Sequence, residues 1–246
     1  MKTIMISEKI WIVVPSYNHG TEIVSVLKAI PDSIRNIIVV DDGSEKKISR
    51  GDLPPDSRIA LLSHDSNCGK GAALLTAAKF ALDKKGDFMI SLDADGQHAP
   101  EEISCFIEIL AGGFNGLVIG ARDFKGKKIP WTSRLGRMMS NLMVFLETGR
   151  RINDTQSGFR LYPLGIFKSC DCRSSGYEFE TELLVRSIWG GYECRTVPIS
   201  VEYPRNRISH FKLFQDNVRF VVLHFRLICW AVFRSRNDWE TKDSSS

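Results

Sequence analysis

The sequence predicts an α/β fold in which a mostly parallel central sheet is flanked by helices. Short apolar segments rich in β-branched residues alternate with segments of helical spacing between residues 10 and 120. Clusters of polar residues repeatedly follow the apolar segments, at the points where strands would end. In open α/β sheets, ligands bind beyond the carboxyl ends of the strands. We therefore expect a ligand site at that edge of the sheet.

The first elements form a strand–helix–strand unit. Residues 10–15 (IWIVVP) are apolar, β-branched and stopped by proline, so they predict a strand, and residues 22–30 have helical spacing. A second strand at 37–40 runs directly into Asp41 and Asp42. This order predicts parallel pairing of the two strands.

The alternation then continues to residue 120. The pattern predicts strands at 59–62, 88–92 and 117–120, and helices at 69–82 and 100–110. Pro100, followed by two acidic residues, is typical of the first turn of a helix.

The rhythm weakens after Arg122. A basic loop precedes a predicted helix at 133–147, a polar stretch at 154–160, a helix at 178–189 and a strand near 196–202. There is no internal repeat and no linker. We expect one domain over residues 1–236 and a flexible tail over 237–246.

Composition excludes several classes of protein. With 246 residues, 43% of them apolar and 25% charged, the chain is too apolar for a mainly disordered protein. Six cysteines without CxxC spacing, and no signal peptide, indicate a reducing compartment. We expect a cytoplasmic protein, or one that is peripheral on the inner face of the cell membrane.

Basic residues are clustered although the formal net charge is only +4. The clusters suit phosphates, whether of a small substrate, a membrane surface or nucleic acid, and solvated surface side chains are an equal alternative. They comprise Arg122, Lys125, Lys127, Lys128, Arg134 and Arg137, and then Arg205, Arg207, Lys212, Arg219 and Arg226.

An apolar segment at 218–233 is interrupted by Arg219, His224 and Arg226, so it falls short of the roughly 18 apolar residues of a membrane-spanning helix. It predicts an amphipathic helix that either packs on the domain or lies on a membrane through Phe220, Leu223, Leu227 and Trp230.

Asp93 and Asp95 give the sharpest chemical signal. Residues i and i+2 at the end of a strand project to the same side, so two carboxylates converge there. Oxygen ligands of this kind select Mg²⁺ or Mn²⁺, and Gln97 would add a carbonyl oxygen. The alternative is an acidic turn bent at Gly96.

Two other clusters suit a nucleotide. Asp42, with Tyr17 and Asn18 at a neighbouring strand end, would hold a base or ribose, although these residue types also build ordinary turns. Lys70 opens a helix whose N-terminus favours a diphosphate. The Walker A and GxGxxG patterns are absent, which argues against P-loop NTPases and dinucleotide enzymes.

The combination of motifs resembles a known family. The segments VVPSYNHG, VVDDGS, NCGKGAAL, SLDADGQHAPE and GAR are similar to the nucleotide-binding half of family 2 glycosyltransferases, which have the GT-A fold. The segments DTQSGFRLY, GYEFETELL and PRNRISH resemble the acceptor side of the dolichyl-phosphate mannose and glucose synthase branch. Residues 10–122 would then bind the nucleotide sugar and residues 123–236 the acceptor.

The resemblance implies a role for individual residues. The base and ribose pocket would be lined by Pro15, Tyr17, Asn18 and Asp42, with Lys70 nearby, and the divalent metal, Mg²⁺ or Mn²⁺, would be held by Asp93, Asp95 and Gln97. Phosphates would meet Arg122, Arg134, Arg205 and Ser209, and the sugar would lie near Asp154 and Gln156. His210 stands where many relatives have lysine. Asp95, Asp154 and Arg122 are the expected catalytic residues.

The reaction implied is inverting transfer of a hexose, mannose or glucose, from a GDP- or UDP-sugar to a polyprenyl-phosphate-like lipid. A saccharide or glycolipid hydroxyl is the alternative acceptor, and it would need a general base, for which Asp154 and Glu180 are candidates. A sugar nucleotidyltransferase and a catalytically silent binding module are further alternatives. We expect no nucleic-acid partner.

Overall fold

A computed structural model describes residues 8–19, 22–123, 131–201 and 213–233. Its strands are β1 (Ile10–Ser16), β2 (Asn36–Asp41), β3 (Ile59–Ser63), β4 (Phe88–Ser91), β5 (Leu117–Arg122), β6 (Arg160–Pro163) and β7 (Cys194–Ile199). Its α-helices are α1 (Glu22–Ala29), α2 (Lys70–Asp83), α3 (Ile103–Ala111), α4 (Trp131–Thr148), α5 (Ile166–Ser169), α6 (Phe179–Trp189) and α7 (Leu213–Phe233).

The strands form one sheet in the order β3-β2-β1-β4-β6-β5-β7. β1 pairs in parallel with β2 and β4, β2 with β3, and β5 with β7. β6 is antiparallel to both β4 and β5. The predicted mostly parallel α/β sheet is therefore confirmed, with one reversed strand inserted in it.

β6 and the short helix α5 were not predicted. The strand begins at Arg160, the last residue of the predicted polar stretch, and Arg160 is 1% exposed. Three backbone carbonyls, those of Thr155, Ser157 and Glu180, accept hydrogen bonds from this guanidinium at 2.6 Å. These bonds replace the water that a buried charge would lose.

Both faces of the sheet are covered by apolar side chains. Alternate residues of β1 and β2, such as Ile12 and Ile37, pack with α1 and α3 on one face. On the other face, Val13 and Ile38 pack with α2 and α6. Strands buried on both faces read as continuous apolar runs, which is why the sequence shows them clearly.

α7 packs on the domain. Leu223 and Leu227 are buried in the same core cluster as Val144 of α4, and the indole of Trp230 stacks on Trp189 at 4.6 Å between ring centroids. Of the two arrangements that the sequence left open, packing on the domain fits the burial of Leu223 and Leu227, which are therefore not among the side chains that could meet a membrane. Within the described ranges, no helix has the combined length and apolarity needed to cross a bilayer.

Candidate active site

The carboxyl ends of β1, β2 and β4 meet at one edge of the sheet. In the parallel register Ser16 lies beside Asp41, so the residues that follow both strands emerge together. β6 runs the opposite way and pairs Arg160 with Ser91, so its beginning lies at this same edge. The acids of three segments and the loop before β6 are thereby brought together.

Lys70 links two acidic side chains at this edge. Its Nζ lies 2.6 Å from Asp93 Oδ1 and 2.8 Å from Glu180 Oε2. Burial disfavours the charged lysine, but the two carboxylates outweigh it and raise its pKa. Burial likewise opposes ionisation of Asp93, yet the positive charges of Lys70 and His98 lower the pKa of Asp93 to about 2. The sequence predicted Lys70 near the base pocket. In the structure its ammonium group contacts the carboxylates of Asp93 and Glu180.

Gly158 leaves room for the side chains of Asp93 and Lys70. A Cβ at this position would lie 2.4 Å from both Asp93 Oδ2 and Lys70 Nζ, so only glycine leaves the two charged groups where they are. The carbonyl of Gly158 accepts a hydrogen bond from Ser91 Oγ at 2.6 Å, which fixes the loop against the end of β4.

Asp95, Gln97 and His98 continue the acidic edge. The Gln97 amide groups contact the Asp95 carboxylate, its backbone nitrogen at 3.1 Å, and the side chain of Gln97 is buried. His98 is buried against Phe159, with Nδ1 3.9 Å from Asp93 Oδ2, and among the residues that the structure describes neither of its ring nitrogens has a hydrogen-bond partner. Burial lowers the pKa of His98. Carboxylate and amide oxygens are the ligands that Mg²⁺ and Mn²⁺ take in proteins, so the residue types of Asp93, Asp95 and Gln97 suit such an ion.

Arg122 and Asp154 form a second ion pair, close enough to Asp93 for the charge of Arg122 to lower the pKa of Asp93. The guanidinium donates to both carboxylate oxygens of Asp154, at 2.6 and 2.7 Å, and the backbone nitrogen of Arg122 donates to Oδ2 at 3.0 Å. Burial opposes ionisation of Asp154, but these hydrogen bonds and the charge of Arg122 lower its pKa. Asp154 is therefore a weak base, and Arg122 is held in a fixed position.

Asp42 organises the loop before α2. Its carboxylate accepts hydrogen bonds from the backbone nitrogens of Cys68 at 3.0 Å and Gly69 at 2.8 Å, and it lies 2.7 Å from His64 Nδ1. The ligand atoms of Asp42, His64 and Cys68 lie within 4.8 Å of one another, close enough for one metal ion. Because Asp42 accepts hydrogen bonds from the backbone of Cys68 and Gly69, this group also holds the loop before α2 in place.

The loop after β1 is tied to the loop after β2. The backbone nitrogen of Asn18 donates to Ser44 Oγ at 2.8 Å, and Asn18 Oδ1 accepts from the nitrogen of Glu45 at 2.9 Å. Pro15 is buried within β1, and Tyr17 is partly exposed beside it. Of the residues expected in the base pocket, Pro15 is therefore part of the strand, and Asn18 ties the two loops together.

Backbone nitrogens at the N-terminus of α2 already donate hydrogen bonds to other parts of the chain. The Gly69 nitrogen is taken by Asp42, and the nitrogen of Ala72 donates to the Ser175 carbonyl at 3.1 Å. A Cβ at Gly71 would lie 2.4 Å from Phe179 Cβ. The diphosphate expected at this helix end would therefore meet the Lys70 side chain instead of the helix backbone.

Two other residues expected in the site, Arg134 on α4 and Gln156, are exposed. Arg205, Ser209 and His210 fall outside the described residues, so their predicted phosphate contacts stay predictions.

Sequence reasoning missed Gly158 and His98. Both lie inside motifs that were noticed, SGF and GQH, but a small residue and a histidine without a partner carry no signal until their neighbours are known. The cue that does exist for Gly158 is its place just before a strand, where glycine often permits close backbone approach.

A family model described as glycosyl transferase family 2 matches residues 11–173. A UDP-N-acetylglucosamine–dolichyl-phosphate N-acetylglucosaminyltransferase of Methanococcus voltae is 29% identical, with 85% of this chain and 95% of the relative covered. A polyprenol monophosphomannose synthase of Mycolicibacterium smegmatis is 27% identical, with 96% of this chain and 91% of the relative covered.

Solved structures show the same fold. Glucosyl-3-phosphoglycerate synthase of Mycobacterium tuberculosis, in complex with Mn²⁺, UDP-glucose and phosphoglyceric acid, superposes with a TM-score of 0.68. The identity is 20%, and 92% of this chain and 82% of that chain are covered. At that identity the likeness shows the fold alone, which is GT-A. With the family match over residues 11–173, it follows that the chain belongs to glycosyltransferase family 2 and is a glycosyltransferase.

Proposed function

We propose that this glycosyltransferase moves a hexose, of the mannose or glucose type, from a GDP- or UDP-sugar to a polyprenyl phosphate, with inversion at the anomeric carbon. The observation that carries the proposal is the ion pair of Lys70 with Asp93 at the sheet edge, near enough to the Arg122–Asp154 pair for the charge of Arg122 to lower the pKa of Asp93. Two relatives named for transfer to dolichyl phosphate and polyprenol support the acceptor class.

The donor side follows from the arrangement of charges. Asp42 and Tyr17 are the side chains that would receive the base and ribose, and Asp93, Asp95 and Gln97 are those that would hold Mg²⁺ or Mn²⁺. When bound, that ion neutralises the charge that grows on the departing diphosphate. Lys70, fixed between Asp93 and Glu180, adds a donor of positive charge at the same place.

The acceptor side favours a phosphate over a hydroxyl. A hydroxyl must lose its proton to a base as it attacks, and both candidate bases are in ion pairs, Asp154 with Arg122 and Glu180 with Lys70. A phosphate monoester has a second pKa of about 6, so it is already ionised at neutral pH and needs no base. Arg122 is placed to hold it for attack on C1 of the sugar from the face opposite the leaving group.

A donor and acceptor screen tests the proposal. The purified chain is incubated with radiolabelled GDP-mannose, UDP-glucose or UDP-N-acetylglucosamine, with undecaprenyl or dolichyl phosphate, and with Mg²⁺ or Mn²⁺. Organic extraction then measures labelled sugar-lipid. The expected result is a chloroform-soluble product from one donor, lost on addition of EDTA.

Asp95→Asn is the matched variant for this screen. It removes one charge from the expected metal site, and we expect kcat to fall at least about a hundredfold with the fold unchanged by circular dichroism. Asp83→Asn is the control, because Asp83 is exposed and lies at the opposite end of α2 from Lys70. Near-normal transfer by Asp95→Asn would overturn the metal assignment. Label appearing only on a glycan hydroxyl would overturn the lipid-phosphate acceptor.

A further inference from the structure

Two neighbouring helices turn apolar side chains toward solvent. The exposed large apolar residues of α4 and α7 recur at helical spacing, on one face of each helix. They are Leu135, Met138, Met139, Leu142 and Leu146 on α4, and Val218, Val221, Val222, Phe225 and Ile228 on α7. Phe225 is 68% exposed. We call these ten residues the outer face.

The opposite faces of these helices are buried and partly polar. α4 turns Ser140 and Glu147 inward, and His224 of α7 meets Glu147 with its Nδ1 2.7 Å from Oε1. Val144 and Leu223 lie in the same core cluster. Both inner faces meet one core, so both outer faces point away from it. These helices therefore carry apolar side chains on the buried and on the exposed side, and exposed apolar side chains gathered in this way mark an interaction surface.

The charge on this side is positive. Residues 131–146 and 217–233 contain no Asp or Glu, while they carry Arg134, Arg137, Arg219 and Arg226. A face that combines exposed apolar side chains with arginines and lacks acids is complementary to an anionic lipid surface. A second copy of this chain is a poorer fit, because a twofold interface would bring the same arginines together.

A hollow of about 450 Å³ opens beside the outer face. It is lined by Asp171, Arg173, Arg186, Phe225, Arg226, Cys229 and Trp230. Phe225 belongs to both surfaces, so the hollow and the outer face are continuous. Three guanidiniums against one carboxylate give the lining a net positive charge.

The hollow is built in advance of any ligand. Arg186 is buried, its Nε donates to Glu182 Oε1 at 2.8 Å, and its guanidinium lies 5.5 Å from the centre of the Trp230 ring. Glu182 Oε2 also accepts from the backbone nitrogens of Arg173 at 3.1 Å and Ser174 at 2.8 Å. The buried Glu182 carboxylate thus fixes both the guanidinium of Arg186 and the loop that carries Arg173. Arginines fixed in this way suit a phosphate group.

We propose that the outer face docks on an anionic bilayer and that the Arg173–Arg186–Arg226 hollow receives the phosphorylated headgroup of a bilayer phospholipid. This site is separate from the sheet edge, and its purpose rests on the proposed function, since a lipid acceptor must be reached from the membrane surface. The apolar side chains of the outer face enter the acyl boundary, while the arginines stay at headgroup level.

Vesicle sedimentation tests the proposal. The full chain is mixed with sucrose-loaded vesicles of phosphatidylcholine alone, or of phosphatidylcholine with phosphatidylglycerol. Binding to the anionic vesicles is expected to be stronger. Arg226→Ala should weaken that binding about fivefold with little effect on neutral vesicles, because one surface arginine contributes about 1 kcal/mol at an anionic surface. Phe225→Ser should weaken binding to both kinds of vesicle.

Two variants on α2 serve as matched controls. Leu75 and Lys79 are exposed there, and Leu75→Ser and Lys79→Ala remove an apolar side chain and a charge away from the outer face. Both should bind vesicles as the wild type does. Equal losses in the control and test variants would show unspecific adsorption and overturn the proposal. So would a concentration-dependent dimer in light scattering that Phe225→Ser abolishes while vesicle binding is unchanged.

Two further measurements separate the possible outcomes. Inorganic phosphate at millimolar concentration should not displace the chain from vesicles; displacement that Arg226→Ala abolishes would mean a free-phosphate site instead of a lipid site. Transfer to a water-soluble short-chain prenyl phosphate reports on the proposed function alone. Vesicle binding without any transfer would overturn the proposed function but not the docking surface. Transfer without vesicle binding would overturn the docking surface but not the proposed function.

Discussion

Lys70 joins the two halves of the chain, because its ammonium group contacts Asp93, which follows β4, and Glu180 on α6. Tyr162 adds to this centre by donating its hydroxyl to Glu180 Oε1 at 3.1 Å. Burial of Tyr162, together with the adjacent Glu180 carboxylate, raises its pKa, so the phenol keeps its proton. A single lysine therefore balances two carboxylates where donor and acceptor would meet.

Gly158→Ala tests how closely this centre is packed. The added Cβ would overlap Asp93 and Lys70, so we expect both to shift and transfer to fall about a hundredfold, the cost of misplacing reacting groups by about 1 Å. Steady-state kinetics measure this. Gly136→Ala is the control, because its Cβ would meet no atom within 4 Å. Unchanged kinetics in Gly158→Ala would mean that the cluster does not handle substrate.

Glu182→Gln tests the buried acid behind the arginine hollow. Glu182 keeps a lowered pKa against the effect of burial, because Ser174 and Arg186 donate hydrogen bonds to it. The variant should lose about 2 kcal/mol of unfolding free energy at pH 7.

The pH dependence of that loss has a defined sign. A carboxyl whose pKa is lower in the folded state stabilises the fold fully above its unfolded pKa, here about 4.5, and less as the pH falls further. The difference between wild type and Glu182→Gln in urea unfolding should thus shrink below pH 4.5. Glu108→Gln, on the exposed side of α3, should show no such difference. A difference independent of pH would contradict the ionised state of Glu182.

The sequence predicted the acids of the site better than their neighbours. Asp42, Asp93 and Asp95 follow apolar strands, and parallel pairing is enough to place strand ends side by side. Lys70 and His98 were harder, because their positions depend on contacts with α6 and with Phe159, far away in sequence. Local patterns carry no information about such partners.

At the scale of elements, α7 shows why an apolar helix with charges is ambiguous in sequence. Both of its faces are apolar, so periodicity alone does not tell which one packs on the domain. The structure assigns Leu223 and Leu227 to the inside and Val222 and Phe225 to the outside.

Paired alanine variants test that assignment. Leu223→Ala removes a buried side chain and should cost about 3 kcal/mol of unfolding free energy. Val222→Ala, the next residue but 50% exposed, should cost less than about 0.5 kcal/mol. Urea unfolding followed by circular dichroism measures both. Equal costs would contradict the packing of α7 described above.

β6 failed as a prediction for a different reason. Its first residue is a buried arginine, and charged residues are almost never fully buried unless they are paired. In the sequence, Arg160 therefore reads as the end of the polar stretch 154–160 and not as the start of a strand. Only the carbonyls of Thr155, Ser157 and Glu180, gathered from separate segments, make the burial of Arg160 favourable.

At the scale of the whole molecule, the two halves share one sheet. β4 of the first half pairs with β6 of the second, with Ile90 beside Leu161 and Met89 beside Tyr162. The prediction of a single domain over residues 1–236 agrees with this arrangement and stays a prediction for the residues outside the described ranges.

A chain ended at Arg122 tests the dependence of one half on the other. Without β6, the edge of β4 loses its partner, and Met89 and Ile90 lose the apolar contacts of Tyr162 and Leu161. We expect this fragment to show no cooperative urea transition, whereas the full chain does. A fragment with a sharp transition and a dispersed amide spectrum would show that residues 10–122 fold independently.

Because β6 runs in the reverse direction, the chain enters it at the reactive edge, and residues 149–159 connect α4 to that strand. The second part of this connection is fixed, since Asp154 holds Arg122, the carbonyls of Thr155 and Ser157 hold Arg160, and Gly158 leaves room for Lys70. Its first residues, 149–151, carry no such contacts to the described residues of the site and include two exposed arginines. Insertions are therefore expected to be tolerated next to α4 and to disturb the site when they are placed after residue 153.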